Sequence, residues 1–275
     1  MIEMDCLGDR MKNYESRNQY FLQRRTPVCI RVDMRAGHTF TRGFARPFDE
    51  VFGNAMMETM KYCAQNIGNC VFAYCQSDEI TFILVDYAKL ETDAWFNYRT
   101  DKLCSIAASM ATMAFNRSFR YNAEIEMVFT EDEKYKETLL NAIVKGAMFD
   151  ARCFNIPKEE VTNLIYWRQL DASRNSVQMV GQVNFSHKEL QNKSCNEIQD
   201  MLLTQKGINW NDYPTHLKRG SCCIKVPDNI EITEHESEWG DPVQVAQRHW
   251  EWKIDLNIPI FKGEDRNYIE QYIYV

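Results

Sequence analysis

The chain has 275 residues, a formal net charge of −7 and 45% hydrophobic side chains, enough to build a sizeable core without disulfide staples. Its ten cysteines are scattered, with Cys222 and Cys223 adjacent and no C-x-x-C pair, which argues against both a zinc site and a secreted disulfide framework. The start, MIEMDCLGDRMKNYE, is charged from its third residue, and nowhere does the chain run about 18 apolar residues without a charge, so a cytoplasmic protein with no membrane partner is expected.

An acidic total speaks against a nucleic-acid partner, but the charge is unevenly spread. From Arg10 to Arg46 nine Arg or Lys stand against two acids, and from Asp228 to Val275 eleven acids stand against four bases. A basic N-terminal face and an acidic tail suit a polyanion that approaches from one side.

VCIRVD, Val28 to Asp33, is rich in β-branched residues and reads as a strand. Pro47 and Asp49 open a helix whose apolar residues Phe52, Met56, Met60, Cys63 and Ile67 recur at helical spacing. CVFAY and ITFILVDY are the next two strands, joined by CQSDE, whose polar residues fit a hairpin turn. A long helix is expected from about Ala94 to Arg117, with Leu103, Ile106, Ala107, Met110 and Ala114 on one face. AMFDARCFNIP then supplies a strand that Pro157 ends, while TEDEKYKETLLNAIVKG before it has no assigned place. The order β-α-β-β-α-β is the split βαβ of a ferredoxin-like fold, an α+β unit with its helices on one face of an antiparallel sheet.

After Pro157 one long helix or two span Glu159 to about Val183. SHKE at Ser186 and SCNE at Ser194 both fit a capping box, and the second of these helices should stop at Gly207. A loop then feeds a strand through KRGSCCIKV, and the acidic tail has little periodic signal. The expected organisation is a catalytic unit over 1–157, with a helical and irregular region over 158–275 packed on it and not independent.

Asp33, leaving the first strand, reads alone as either a turn residue or a metal ligand. In the ferredoxin-like order the first strand lies beside the third, so the end of the first and the hairpin joining the second and third share one sheet edge. Asp33 then faces Asp78. Two carboxylates on rigid elements suit Mg²⁺, a hard cation that binds oxygen ligands and triphosphates, and a two-metal arrangement would serve phosphoryl transfer. Arg99 and Lys102, three apart, read as a solvated helix face or as a phosphate clamp. Trp167, Trp250 and Trp252 read as base-stacking platforms or as packing residues.

RVDMRAGHTF followed by AYCQSDEITF resembles the tRNA-histidine guanylyltransferase family, which adds nucleotides to RNA 5′ ends in the 3′-to-5′ direction from a polymerase-palm domain. FARPFDEVF, WFNYRTDK, FDARCF, YWRQLDASRNS, NKSCNE and KRG continue the likeness over most of Leu22 to Cys223. LGDRMKNYE and FDARCFNIP are closer to the branch that repairs truncated tRNA 5′ ends.

The resemblance implies that Asp33 and Asp78 are catalytic and hold two Mg²⁺ ions, together with the backbone carbonyl of Met34, where the family usually has glycine. It implies nucleotide binding by Arg35, Ala36, Gly37, His38, Ser77, Glu79, Arg99 and Lys102, and RNA contacts by Arg24, Arg25, Asn175, Lys193, Asn196, Lys218 and Arg219. ATP would activate a 5′-monophosphate end, and the 3′-hydroxyl of GTP or another nucleoside triphosphate would then attack it. tRNA is the implied partner and a homotetramer, a dimer of dimers, the implied assembly. Members dedicated to histidine tRNA carry His-Ile-Asn-Asn where this chain has SRNS, Ser173 to Ser176. That favours template-dependent repair over addition of a single G to tRNA-His; a regulator that has lost catalysis is opposed by retention of both aspartates.

Overall fold

The computed structural model describes residues 6–236 and 242–275, and for 229–236 and 242–249 the backbone alone. The first five residues and part of the acidic tail lie outside them. In chain order the elements are α1 (Leu7–Ser16), β1 (Val28–Met34), α2 (Gly37–Phe40), α3 (Glu50–Asn66), β2 (Cys70–Gln76), β3 (Glu79–Leu84), α4 (Thr100–Phe129), α5 (Glu133–Lys145) and β4 (Phe149–Asn155). They continue with α6 (Lys158–Asn184), α7 (His187–Leu190), α8 (Cys195–Lys206), α9 (Thr215–Arg219), β5 (Ser221–Glu236), β6 (Pro242–Asp255) and α10 (Asn267–Glu270).

The sheet runs β4-β1-β3-β2-β5-β6, with every pairing antiparallel. Its first four strands are the ferredoxin-like order, so β1 is central, between β4 and β3. Alternate residues divide its two faces. Val28, Ile30, Val32 and Met34 join Phe82, Met56, Met60, Leu103, Ala107 and Phe115 in the core under α3 and α4. Cys29 lies in a second core with Phe72, Tyr74 and Ile83, covered by Val161 and Ile165 of α6 and by Ile258, Phe261, Ile269 and Ile273 of the C-terminal segment. The palm helices share one face as expected. The C-terminal residues cover the other face, which makes the sheet the middle of three layers.

The segment TEDEKYKETLLNAIVKG is α5. Asp132 caps it by accepting from the amides of Lys134 and Tyr135, and Gly146 at φ 65° ends it. The long helix starts later than its periodicity suggests, because residues 95–98 form a 3₁₀ turn in which Phe96, Asn97 and Tyr98 have positive φ. The Tyr98 carbonyl accepts from the Leu22 amide, and the Thr100 amide donates to the Tyr20 carbonyl, so pairing with the chain before β1 sets the start of α4. The two SxxE segments are complete capping boxes at Ser186 and Ser194, and Gly207 ends α8 in the left-handed conformation. A Cβ on Gly220 would stand 2.4 Å from the Cys75 carbonyl oxygen, so glycine is what lets β5 begin against β2. This strand extends the palm sheet, and β6 pairs along it.

Candidate active site

The loop leaving β1 is held from below by aromatic packing. Phe40 of α2 meets Phe115 and Phe119 of α4 edge-on, with centroids at 5.7 and 5.3 Å, and Phe44 stacks on Phe119 at 5.6 Å. Such pairs contribute roughly 0.5–1.5 kcal/mol each beyond area burial. They tie the segment between Met34 and Phe44 to the longest helix of the fold.

Asp33 pairs with Glu79 across β1 and β3, and the Met34 amide donates to the Asp78 carbonyl at 3.0 Å. The Ser77–Asp78 turn therefore closes directly onto the end of β1, with Ser77 at φ 50°. An ideal Cβ on Gly37 would lie 2.0 Å from Asp78 Oδ2, so the Asp78 carboxylate rests in the space that this glycine leaves open. Burial, and then the neighbouring Asp78, Glu79 and Asp150, push the Asp33 carboxyl up to about 6; Arg152, 3.7 Å away, opposes them. The Asp33 side chain is 38% exposed, so it faces both the carboxylates and solvent.

This donor set fits Mg²⁺. Crowded carboxylates short of positive charge, with a strand-end carbonyl beside them at Met34, are hard oxygen donors; Mg²⁺ takes one or two carboxylates and completes its shell with water and substrate phosphates. Among the described residues no three His, Cys, Asp or Glu side chains converge as a metal cluster.

Beside the turn lie two adjoining cavities. One, of about 330 Å³, is bounded by Gly37, His38, Arg46, Ser77, Asp78 and Gln182. The other, of about 140 Å³, is mainly apolar, with Phe48, Phe52, Met57 and Met179 in its wall and Asn175 and His216 as polar members. Asp49, Phe52, Ser77 and Met179 border both. Burial lowers the His216 pKa, which favours the neutral ring. Arg46, Asp49, Met179, Gln182 and His216 were not expected at the site from the sequence, which marked Asp49 only as a helix start. The FARPFDEVF motif carried the signal for the first two; the others come from α6 and α9, which only the tertiary fold brings here.

Asp33, Met34, Gly37, His38, Ser77, Asp78 and Asn175 thus gather at one end of the sheet, with Arg35 and Ala36 on the same exposed loop. Other expected residues do not. Arg99 precedes α4 as its cap rather than sharing a helix face with Lys102, and it pairs with Asp101 at 2.9 Å. Both stand at the far end of the strands: Cys153 contacts the Thr100 carbonyl and pairs with Ile30, about 10 Å down β1 from Asp33 at the usual rise. Glu79 faces α6, where its Oε1 accepts from Arg168 Nε at 2.9 Å.

The expected RNA contacts also divide. Arg24 Nε donates to the buried Asp86 at 2.8 Å, and the Arg25 guanidinium donates to the carbonyls of Asp86, Lys89 and Leu90, so both are engaged in bracing the loop after β3. Lys218 is buried, with Nζ donating to the Asn211 carbonyl and lying 5.5 Å from the Trp210 ring centre. That position removes it from the surface an RNA would touch. The Arg219 carbonyl accepts from the Tyr74 hydroxyl at 2.6 Å. Lys193 and Asn196 are exposed around the start of α8, with Lys193 3.2 Å from Glu197. Trp252 is a core residue and Trp167 lies against Arg168, while Trp250 is exposed.

A ferredoxin-like palm with paired carboxylates at one sheet edge and a cavity beside them defines a nucleotide-transfer class of fold. The family model described as tRNAHis guanylyltransferase matches residues 8–157. A bacterial tRNA(His) guanylyltransferase-like protein solved in complex with ATP is 40% identical, with 98% of this chain and all of that one covered at a TM-score of 0.78. A bacterial protein of the same description in complex with GTP is 36% identical, with the same coverage and a TM-score of 0.74. The tRNA(His) guanylyltransferase of Saccharomyces cerevisiae is 29% identical over 223 residues, covering 74% of this chain and 85% of that protein. The chain belongs to the tRNAHis guanylyltransferase family, whose members are nucleotidyltransferases. No helix among its described residues is long and apolar enough to cross a membrane.

Proposed function

We propose that the protein is a Mg²⁺-dependent 3′-to-5′ RNA nucleotidyltransferase that rebuilds truncated tRNA 5′ ends against the opposite strand of the acceptor stem. The observation that carries this reading is the closure of the Ser77–Asp78 turn onto the Asp33 end of β1, with Asp78 bordering a cavity of about 330 Å³, in a chain of this family. The relatives bound to ATP and GTP support these nucleotides as its substrates, and SRNS at 173–176 supports repair over a dedicated histidine-tRNA role.

Asp33, Asp78 and the Met34 carbonyl would hold Mg²⁺, which when bound supplies charge neutralisation at the reacting phosphate. The chain's own contribution is positioning. Gly37 sets where Asp78 stands, His38 and Arg46 offer donors on the polar side of the larger cavity, and the apolar wall from Phe52 to Met179 suits a base. In such a site the triphosphate lies toward Asp78 and the base toward Met179, which presents the nucleotide 3′-hydroxyl to an RNA 5′ end arriving over Asp33. Arg35, exposed on the loop, is placed to meet that end.

Residues 1–157 and 158–275 work as one unit in this reading, because β5 extends the palm sheet and α6 walls the cavity. A tetramer is supported by exposed apolar side chains on α4 and α5, among them Tyr121, Val128, Phe129, Leu140 and Val144; light scattering in solution tests it. The function is tested with a tRNA lacking its first 5′ nucleotide, Mg²⁺ and labelled nucleoside triphosphates. Wild-type protein is expected to add the complementary nucleotide and Asp33→Ala to add none. Activity retained in Asp33→Ala, or addition of a single G to tRNA-His alone, would overturn the proposal.

A further inference from the structure

On the α6 side of the sheet, one residue past the Ser77–Asp78 turn, lies a chain of charges that no step above uses. Glu79 is 12% exposed, and its Oε1 accepts from Arg168 Nε at 2.9 Å. Arg168 Nη2 donates to Asp171 Oδ2 at 2.8 Å, and the other Asp171 oxygen is paired with Arg174. Arg31 stands on the far side of Glu79 at 3.5 Å, and its Nε is also 3.4 Å from the Thr81 hydroxyl. The Trp167 ring lies against both guanidiniums, 4.4 Å from Arg168 and 5.6 Å from Arg31.

The distances rank the partners of Glu79. Arg168 makes the short charged bond, and Arg31 a long and shared one. Arg31 Nη2 is buried with no hydrogen-bond partner, so it is a donor ready to draw Glu79 across should Arg168 release it. Because Glu79 pairs with Asp33 and follows Asp78 directly, such a swing would move the root of the turn that carries Asp78.

We propose that Arg168 is a positioning residue for the metal-binding turn: its fork, anchored on Asp171, holds Glu79 and thereby sets Asp78 against Asp33. Glu79 acts through this pairing and touches neither nucleotide nor RNA. The inference rests on the reading of Asp33 and Asp78 as Mg²⁺ ligands. Lysine cannot replace Arg168, since a single ammonium lacks the planar fork that bridges Glu79 and Asp171.

The test compares Arg168→Lys, Arg168→Met, Glu79→Gln and the double variant E79Q/R168M with wild type. Single-turnover addition, KM for the nucleotide, Mn²⁺ binding followed by electron paramagnetic resonance without tRNA, and the urea midpoint are measured for each. Both Arg168 variants are expected to slow the chemical step at least tenfold and weaken Mn²⁺ binding at least threefold, with nucleotide KM within twofold of wild type. The double variant should be no slower than the slower single one. Arg168→Lys keeps a charge in the buried pocket and is the variant read if Arg168→Met does not fold. Wild-type rate and Mn²⁺ affinity in Arg168→Lys would overturn the proposal, as would multiplying defects in the double variant, which would give Glu79 a role of its own. Retained activity in Asp33→Ala would instead sink the functional reading beneath it.

Discussion

Gly37→Ala isolates the placement of one carboxylate from everything else the fold does. The added methyl would stand 2.0 Å from Asp78 Oδ2 and 2.9 Å from its Cγ, whereas real Cβ contacts stay at 3.0 Å or more. The carboxylate oxygen must therefore retreat by about 1 Å, and a misplacement of that size in a proposed metal ligand is expected to cost on the order of 100-fold in rate. The backbone at Gly37 is helical with no positive φ, so alanine suits it; removing glycine from a helical position is worth roughly 0.5–1 kcal/mol in favour of folding. Single-turnover addition to a 5′-truncated tRNA is expected to fall about 100-fold while the urea midpoint holds or rises. A Gly37→Ala enzyme within twofold of the wild-type rate would refute the argument that Asp78 works from the position seen here.

Met179, shared by the two cavities, gives a different signature: Met179→Trp should fill the apolar wall and raise nucleotide KM several-fold with little change in the chemical step, as steady-state kinetics would reveal. Asp86→Ala strips the charged acceptor from Arg24 Nε and the Arg25 amide, which should cost about 2 kcal/mol in urea unfolding and leave activity per folded molecule intact. For Lys218→Met the expectation is a lower melting temperature and an unchanged salt dependence of tRNA binding, since a buried ammonium releases no counterions; a flatter salt slope would return Lys218 to the RNA surface. The Glu197 carboxylate is held down at about 2, first by the Ser194 amide and then by its hydroxyl. Its contribution to stability is thus complete above its ordinary value near 4.5 and lost as pH falls toward 2. Ser194→Ala keeps the amide and removes the hydroxyl, so NMR titration should find Glu197 raised part of the way.

Much of the site was legible because it depends on short-range pattern plus one topological rule. β1 and the β2–β3 hairpin are marked by β-branched runs and a polar turn, and the ferredoxin-like order then brings Asp33 to Asp78. The cap boxes at Ser186 and Ser194 are equally local. What escaped depends on distant chain. Arg99 looked like a helical residue until pairing with Tyr20 and Leu22 delayed the start of α4, and Lys218 looked like surface until Trp210 and the Asn211 carbonyl enclosed it. Glu79, which adjoins Asp78, was expected from the resemblance to bind nucleotide. Only the arrival of α6, whose Arg168 lies 89 residues later in the chain, shows that the two side chains leave the turn in different directions.

With α3 and α4 on one side of the sheet and α6 with the C-terminal segment on the other, neither broad surface of the palm is open. The strands form a wall, and Asp33 and Asp78, the proposed metal ligands, are set into its rim. On the proposed function, a duplex has no bare sheet face to lie across and be read along its length. It would be offered to the rim by its tip, so the proposed preference for ends would begin with the architecture before any residue recognised a sequence.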